Sequence, residues 1–495
     1  MMLKVFVTIG LLQVLTMLVQ LVRTKTLALL LGPQALGVMA VIDKLLAVIV
    51  QTVSLSLPFA ALRFLPAVWT KDRAAFHDRY VRMRNLLLLM AFLALVVSLA
   101  VTLLRPATWG AQLLSYRTVV LCAIAGLPVL ALVPLLQNVV AGRLEQNRAM
   151  LVSLGNALVM AAAAAGILWR GLSGYYLCYA ALGLGLVVVA QGIVRRGVSL
   201  PGAGGGARRP RFPLRLPPLM WKFSVALLAT TFVTPYAALF VHYRVLSDYG
   251  AATAGFMQAA IGLGLAVRGV LGSAHPVFLT PNVNREGAPG DRMAWANAFQ
   301  ATFCFIVAAS LPPLLLFPQL VVRVLYSRAF LPGAAFAVVF ILSEIVNLLG
   351  GTYAAIVLAL DELKFHVAQN VVAQLLMIAV AAWLVRPLGI LGAGLAVLTG
   401  PVCIWFATTI FLRLRYDLRI PRRVLGLTGL VVATLIACGA LGALRPELTP
   451  GTVAVKIAAY AVVAGLFLGL LSPDERQRAL GMLAAVRARL APAAG

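Results

Sequence analysis

Long apolar stretches, broken at intervals by charged residues or by Pro and Gly, run along the whole of this chain. Runs such as 86–104 and 119–136 match the ~20 residues a helix needs to cross a bilayer. They are too long, and too free of alternation, to be strands of a membrane barrel. Segmentation at the breaks predicts fourteen helical spans, near 5–31, 37–65, 85–104, 117–140, 149–169, 174–194, 218–243, 252–276, 293–318, 331–360, 366–385, 388–412, 424–444 and 452–471. Several exceed the minimum length, which tilt accommodates.

Composition narrows the class further. Of 495 residues, 62% are hydrophobic and 11% charged, where a soluble protein carries roughly a quarter of its residues charged. So few charges cannot cover a water-soluble globule, which excludes a soluble enzyme, a secreted domain and a disordered tail. An all-α polytopic membrane protein is expected. One lysine followed by an apolar run gives the N-terminus the look of a signal peptide. No small-residue cleavage site precedes Arg23, so a retained first span is expected. The five cysteines stand singly in apolar segments, and neither a disulfide framework nor a metal site is expected.

A net charge of +27 would point to nucleic acid in a soluble protein. In a membrane protein, excess Lys and Arg in loops sets orientation instead, and no nucleic-acid partner is expected. Of 41 Lys and Arg residues, 27 fall in the termini and even-numbered loops, eight in the odd-numbered loops and six inside spans. This asymmetry predicts that both termini face the cytoplasm. Residues 195–217, rich in Gly, Pro and Arg, read as a flexible cytoplasmic linker. The tail, 473–495, reads as a basic amphipathic segment on the inner leaflet. Every external loop is short, and only Asp248 and Glu447 supply acid there. A transporter is therefore expected, rather than a membrane glycosyltransferase or polymerase with catalytic carboxylates.

Shifting the sequence by 218 residues superposes Gly32 on Gly250, Gly37 on Gly255 and Pro58 on Pro276, and Arg170-Gly-Leu-Ser-Gly meets Arg386-Pro-Leu-Gly at a shift of 216. Six spans lie within the offset, so the two copies point the same way through the membrane, as in parallel repeats with substrate bound between them. The expected organisation is an N-terminal lobe (1–194, spans one to six), the linker, a C-terminal lobe (218–412, spans seven to twelve) and two extra helices (413–472).

Charges inside spans are costly, at least ~2.5–3.5 kcal/mol at the bilayer centre, and each needs a reason. Gln13, Thr16, Gln20 and Arg23 share one face of span one, a polar stripe suited to a wet cavity. Lys25 points roughly opposite. Asp43 and Lys44 enter span two, followed on the same arc by Gln51 and Ser54. Arg63, off that arc, reads as an anchor. Arg268 lies deep in span eight with no acidic neighbour in sequence. Glu344 shares a face with Asn347 and Gly351 in span ten, and His366, Gln369, Asn370 and Gln374 form a stripe in span eleven. The expected binding set is Arg23, Lys25, Lys44, Arg268, Gln20 and Gln51. Glu344 and Asp43 are the candidates for coupling to protons or sodium ions; no other cofactor is expected. Such a cleft is cationic and attracts anions, and the arginine fork suits phosphate.

The stretch LVRTKTLALLLGPQALGVMAVIDKLLAVIVQTVSLSLPFAALRF, with its motif LLGPQALG and the two-lobe span plan, resembles the polysaccharide flippases. These are the O-antigen and exopolysaccharide repeat-unit translocases of the multidrug/oligosaccharidyl-lipid/polysaccharide exporter superfamily. The resemblance implies a bacterial inner-membrane protein that moves undecaprenyl-pyrophosphate-linked glycan from the cytoplasmic to the periplasmic leaflet by alternating access, and a monomer is expected. Polysaccharide polymerase and glycosyltransferases are the implied partners. Lipid II flippases are similar too: by motif, Arg23 corresponds to one of their arginines and Arg63 approximates another. Thr24 stands where that group has an acid, which favours a repeat-unit carrier over lipid II. A multidrug/cation antiporter of the same superfamily is the alternative, and it would need a mainly acidic cavity.

Overall fold

The computed structural model describes residues 2–105, 110–143, 145–196, 214–272, 275, 279–283 and 288–470. The chain within these is all helical: α1 (Met2–Ser54), α2 (Leu57–Trp69), α3 (Arg73–Leu104), α4 (Arg117–Ile124), α5 (Leu127–Gly142), α6 (Gln146–Ala163), α7 (Gly166–Arg196), α8 (Pro218–Gly272), α9 (Thr280–Val283), α10 (Pro289–Ser310), α11 (Pro312–Leu316), α12 (Pro318–Leu325), α13 (Ala337–Ala359), α14 (Leu363–Leu388), α15 (Ile390–Tyr416), α16 (Arg422–Leu444) and α17 (Pro450–Leu470). Short 3-10 turns precede α4 and α13. Among the described residues, ten helices are long and apolar enough to cross a membrane, or eleven when the bent pair α4–α5 counts as one.

The expected boundaries shift where the backbone breaks. A straight 53-residue helix would be ~80 Å long, far beyond the ~30 Å of hydrocarbon. Instead α1 is two helices joined at Gly32 (φ 67°, ψ −179°), a conformation essentially confined to glycine. Gln13 and Asp43 line one cavity, so the chain turns back at this kink. The α8 helix repeats the device at Gly250 (φ 84°, ψ 173°). Counting α1 and α8 twice and including the shorter α6 reaches the fourteen expected spans. Span two does not run on to residue 65: Leu55 and Ser56 both have positive φ, and α2 begins afresh. Span nine ends at Ser310, where Pro312 and Pro313 start a new short helix. Asp72 opens α3 by accepting the amide protons of Ala74 and Ala75 at 2.8 and 3.0 Å, an N-cap.

The helices from α1 to α7 pack on one another, and α8 packs with α13, α14 and α15; the two groups meet chiefly along α1 and α8. Here Gly37 lies against Ala251 and Gly255 against Pro33, so close that a Cβ on either glycine would strike backbone. The glycines 218 residues apart thus press on each other's helices. The further match sits at the same shift of 218 rather than at 216: Gly171 (φ 58°, ψ −141°) and Gly389 (φ 58°, ψ −130°) share a conformation. Gly174 then packs on Gly166, and Gly392 on Leu384, the equivalent pair. Pro276, the remaining repeat position, lies outside the described residues, as do linker residues 197–213 and the tail from 471.

Helices α16 and α17 flank α10 and α11. Lys456 of α17 is fully buried, its ammonium 5.2 Å from the centre of the Phe317 ring. A cation over an aromatic face is a favourable use of a charge with little other solvation.

Candidate functional site

Four cavities adjoin one another around α1 and α8. The central one, about 270 Å³, lies between the two helices and is lined by Gln13, Gln20, Arg23 and Asp43 from α1 and by Gln258 and Gly262 from α8. Arg23 and Asp43 also wall a cavity of about 320 Å³ on the N-terminal side, with Gln51, Tyr175, Tyr176 and Tyr179. A third, about 540 Å³, is lined by Gln13, Arg268, His275 and Asn347. A fourth, about 350 Å³, lies among the C-terminal helices and receives Lys44, Arg268 and Glu344. Gln13 is common to the first and third, and Leu265 to the first, third and fourth.

Arg23 is placed by the register of α1. The i, i+7, i+10 spacing of Gln13, Gln20 and Arg23 turns all three to the cleft, whereas the Thr16 hydroxyl folds back onto the Leu12 carbonyl at 2.7 Å. Arg23 Nη2 donates to the Tyr175 hydroxyl at 2.7 Å, and its Nε is buried with no acceptor among the described residues. Asp43 accepts from the Tyr176 hydroxyl at 2.8 Å. The two opposite charges on α1 are therefore held by neighbouring tyrosines of α7 rather than by each other. A guanidinium bound to a neutral hydroxyl keeps its full charge and part of its fork for an incoming anion.

Lys25 departs from expectation. Its ammonium donates to the Val324 carbonyl at 2.7 Å and the Arg323 carbonyl at 3.2 Å, at the C-terminal end of α12. Two residues from Arg23 it points away from the cleft, and it caps a helix end whose free carbonyls favour a cation. Lys44 belongs to the C-terminal cavity rather than to the central one. Arg268, without an acid nearby in sequence, meets Glu344 in space at 3.3 Å, with side chains 51% and 17% exposed. Asn347 approaches the same carboxylate oxygen at 3.5 Å. Gln20 and Gln51 line the central and N-terminal cavities. The cationic set is thus divided between two compartments, with three cations (Arg23, Lys44, Arg268) against two carboxylates (Asp43, Glu344).

Arg63 pairs with Asp361 at 3.3 Å in an exposed ion pair and lies 4.8 Å from the Phe223 ring centre. It bridges α2 to α8 and to the turn before α14, outside the cavities. The polar stripe of α14 is split: Asn370 and Gln374 face the C-terminal cavity, while Gln369 is buried and accepts from Thr408 at 2.9 Å. Tyr175 and Tyr176 were not singled out from the sequence. Their signal was there in YYLCY, since phenol hydroxyls inside an apolar span must find partners. Among the described residues no group of three or more His, Cys, Asp or Glu could hold a metal ion.

No protein-family model matches this sequence, and no curated protein matches it. Solved structures do. The chain is similar to the lipid II flippase MurJ in its inward closed conformation, with a TM-score of 0.69 and 12% identity over 93% of this chain and 98% of that one. It is similar to the MATE multidrug transporter DinF-BH, with a TM-score of 0.58 and 13% identity over 84% and 97% of the respective chains. A MOP superfamily transporter from Pyrococcus furiosus matches with a TM-score of 0.54 and 13% identity, over 83% and 95%. At identities this low the likeness is one of fold. The polysaccharide-flippase resemblance is met at that coarser level, the multi-pass helical fold these MOP superfamily proteins share.

Proposed function

We propose that the protein is a flippase that carries a polyprenyl-diphosphate-linked oligosaccharide across the inner membrane of a bacterium, from the cytoplasmic to the periplasmic leaflet. The observation that carries the reading is Arg23: a guanidinium in the cleft between α1 and α8, fixed by a tyrosine hydroxyl and with its Nε unspent. Donors in that state fit the oxygens of a diphosphate. The polyprenyl tail would stay in lipid while the head group enters the cleft. The two halves, hinged where α1 and α8 press together, would rock to expose the head group alternately on each side, as parallel-repeat transporters do. Both termini would face the cytoplasm, the orientation that the excess of Lys and Arg in the even-numbered loops favours. Asp43, held by a neutral phenol, is the better placed of the two carboxylates for coupling to protons or sodium ions, because Glu344 is engaged by Arg268.

Two neighbouring readings remain within the same fold. A lipid II flippase would use the same diphosphate chemistry with a different glycan. A drug/cation antiporter is favoured by one observation, the presence of Asp43 in the central cleft. Reconstituted into vesicles, the wild-type protein is expected to move a fluorescent polyprenyl-diphosphate disaccharide, and Arg23→Ala to slow it at least about thirtyfold, as loss of a desolvated charged contact costs 2–5 kcal/mol. Cation-driven drug efflux that Arg23→Ala leaves intact, with no lipid movement, would establish the antiporter instead.

A further inference from the structure

The C-terminal cavity holds more polar groups than its charges need. Glu344 is occupied by Arg268 and Asn347, so neither carboxylate nor guanidinium stands alone there. What is left over is a set of neutral donors and acceptors. The Gln374 amide and the Ser343 and Thr234 hydroxyls have no hydrogen-bond partner among the described residues, and all three line the cavity. Asn370 spends its N–H on the His366 carbonyl at 2.7 Å, which leaves its Oδ1 as an acceptor. The Lys44 ammonium enters from α1 with no direct hydrogen bond among the described residues. Phe340, Met377 and Val397 give the same cavity apolar lining.

A cavity of about 350 Å³ is within the range that binds small ligands, in which apolar walls and a few polar groups fix orientation. These amides and hydroxyls face the cavity and are free to pair with a group that enters it. A sugar ring meets both needs, with hydroxyls in its plane and carbon–hydrogen faces above and below. The cavity on the N-terminal side is different, offering Leu46, Val50, Leu130, Pro134 and Met160 around its tyrosines. The N-terminal cavity adds one amide, Gln51, to its tyrosines, whereas the C-terminal cavity gathers Asn370, Gln374 and Ser343 and shares Leu265 with the central cleft.

We infer that this cavity is a carbohydrate subsite, in which Gln374, Asn370 and Ser343 hold the sugar nearest the diphosphate while Arg23 holds the diphosphate in the adjoining cleft. The inference rests on the proposed function for the diphosphate but not for the sugar. Three probes separate the two: a short-chain polyprenyl diphosphate, the same lipid carrying a disaccharide, and an alkyl disaccharide without phosphate. Binding of each to the purified full-length protein in nanodiscs is the measurement. The disaccharide lipid is expected to bind about tenfold more tightly than the bare lipid, the worth of one or two hydrogen bonds. Gln374→Leu should reduce that advantage to about threefold or less and leave bare-lipid affinity unchanged; Ser343→Ala, a smaller change, should reduce it in part. Arg23→Ala should weaken both lipids and spare the alkyl disaccharide. Equal affinity for the two lipids in the wild type, or equal weakening of both by Gln374→Leu, would overturn the subsite. Gln374-dependent binding of the alkyl disaccharide with no binding of the bare lipid would uphold the subsite and overturn the diphosphate reading. Binding of none of the three would overturn both.

Discussion

The helices α1 and α8 occupy equivalent places in the two halves, and they agree in backbone while differing in chemistry. Both turn back at a left-handed glycine, Gly32 and Gly250, and both meet the opposite half through a second glycine five residues on. The charged positions do not repeat. Shifted by 218, Arg23 and Asp43 fall on Val241 and Ile261, and Arg268 falls on Val50. The N-terminal half separates its opposite charges and gives each a tyrosine, while the C-terminal half joins Arg268 directly to Glu344. Duplication kept the scaffold, because packing of backbone against backbone leaves no choice of residue. The charged side chains differ between the two halves, as a substrate that meets different chemistry on each wall would require.

This contrast can be broken at its strongest point first. Gly37→Leu and Gly255→Leu each push a side chain into backbone of the other half, and overpacking of this kind costs about 1–3 kcal/mol or more. Thermal unfolding in detergent should show similar losses for both; a large loss for one alone would mean that the two contacts are not energetically equivalent. Next, Arg268→Ala should cost about 1–2 kcal/mol, discounted for the half-exposed guanidinium, and Arg268→Ala with Glu344→Ala should recover part of it. A double-mutant cycle without coupling would remove the pair from the account.

A smaller effect is expected from Tyr175→Phe, which keeps the ring and deletes the hydroxyl that fixes Arg23. Apparent affinity for a diphosphate lipid should fall about tenfold, in line with ~1.5–3 kcal/mol for hydrogen bonds to charged groups. Unchanged affinity would show that Arg23 is positioned without Tyr175. The smallest effect belongs to Lys25→Met: transport at the wild-type rate, with ~0.3–1 kcal/mol lost from the helix-end contact. A transport defect as deep as that of Arg23→Ala would return Lys25 to the cleft.

Much of this organisation was legible in the chain. Hydrophobic run lengths report the bilayer's thickness, so the helical class and the span plan followed directly, and the glycines at a shift of 218 marked positions that only glycine fills. The stripe of Gln13, Gln20 and Arg23 was readable because helical periodicity alone decides which face residues share. Residue spacing also put Lys25 opposite Arg23, and the helix end it reaches lies 298 residues further along the chain. Partnerships at that range were beyond the sequence. Arg268 and Glu344 stand 76 residues apart, and Arg23 and Tyr175 stand 152 apart. A helix presents its side chains by local geometry, but which neighbour they meet depends on how whole helices cross. That crossing, set here by α1 against α8, alone determined that the cations divide between two compartments.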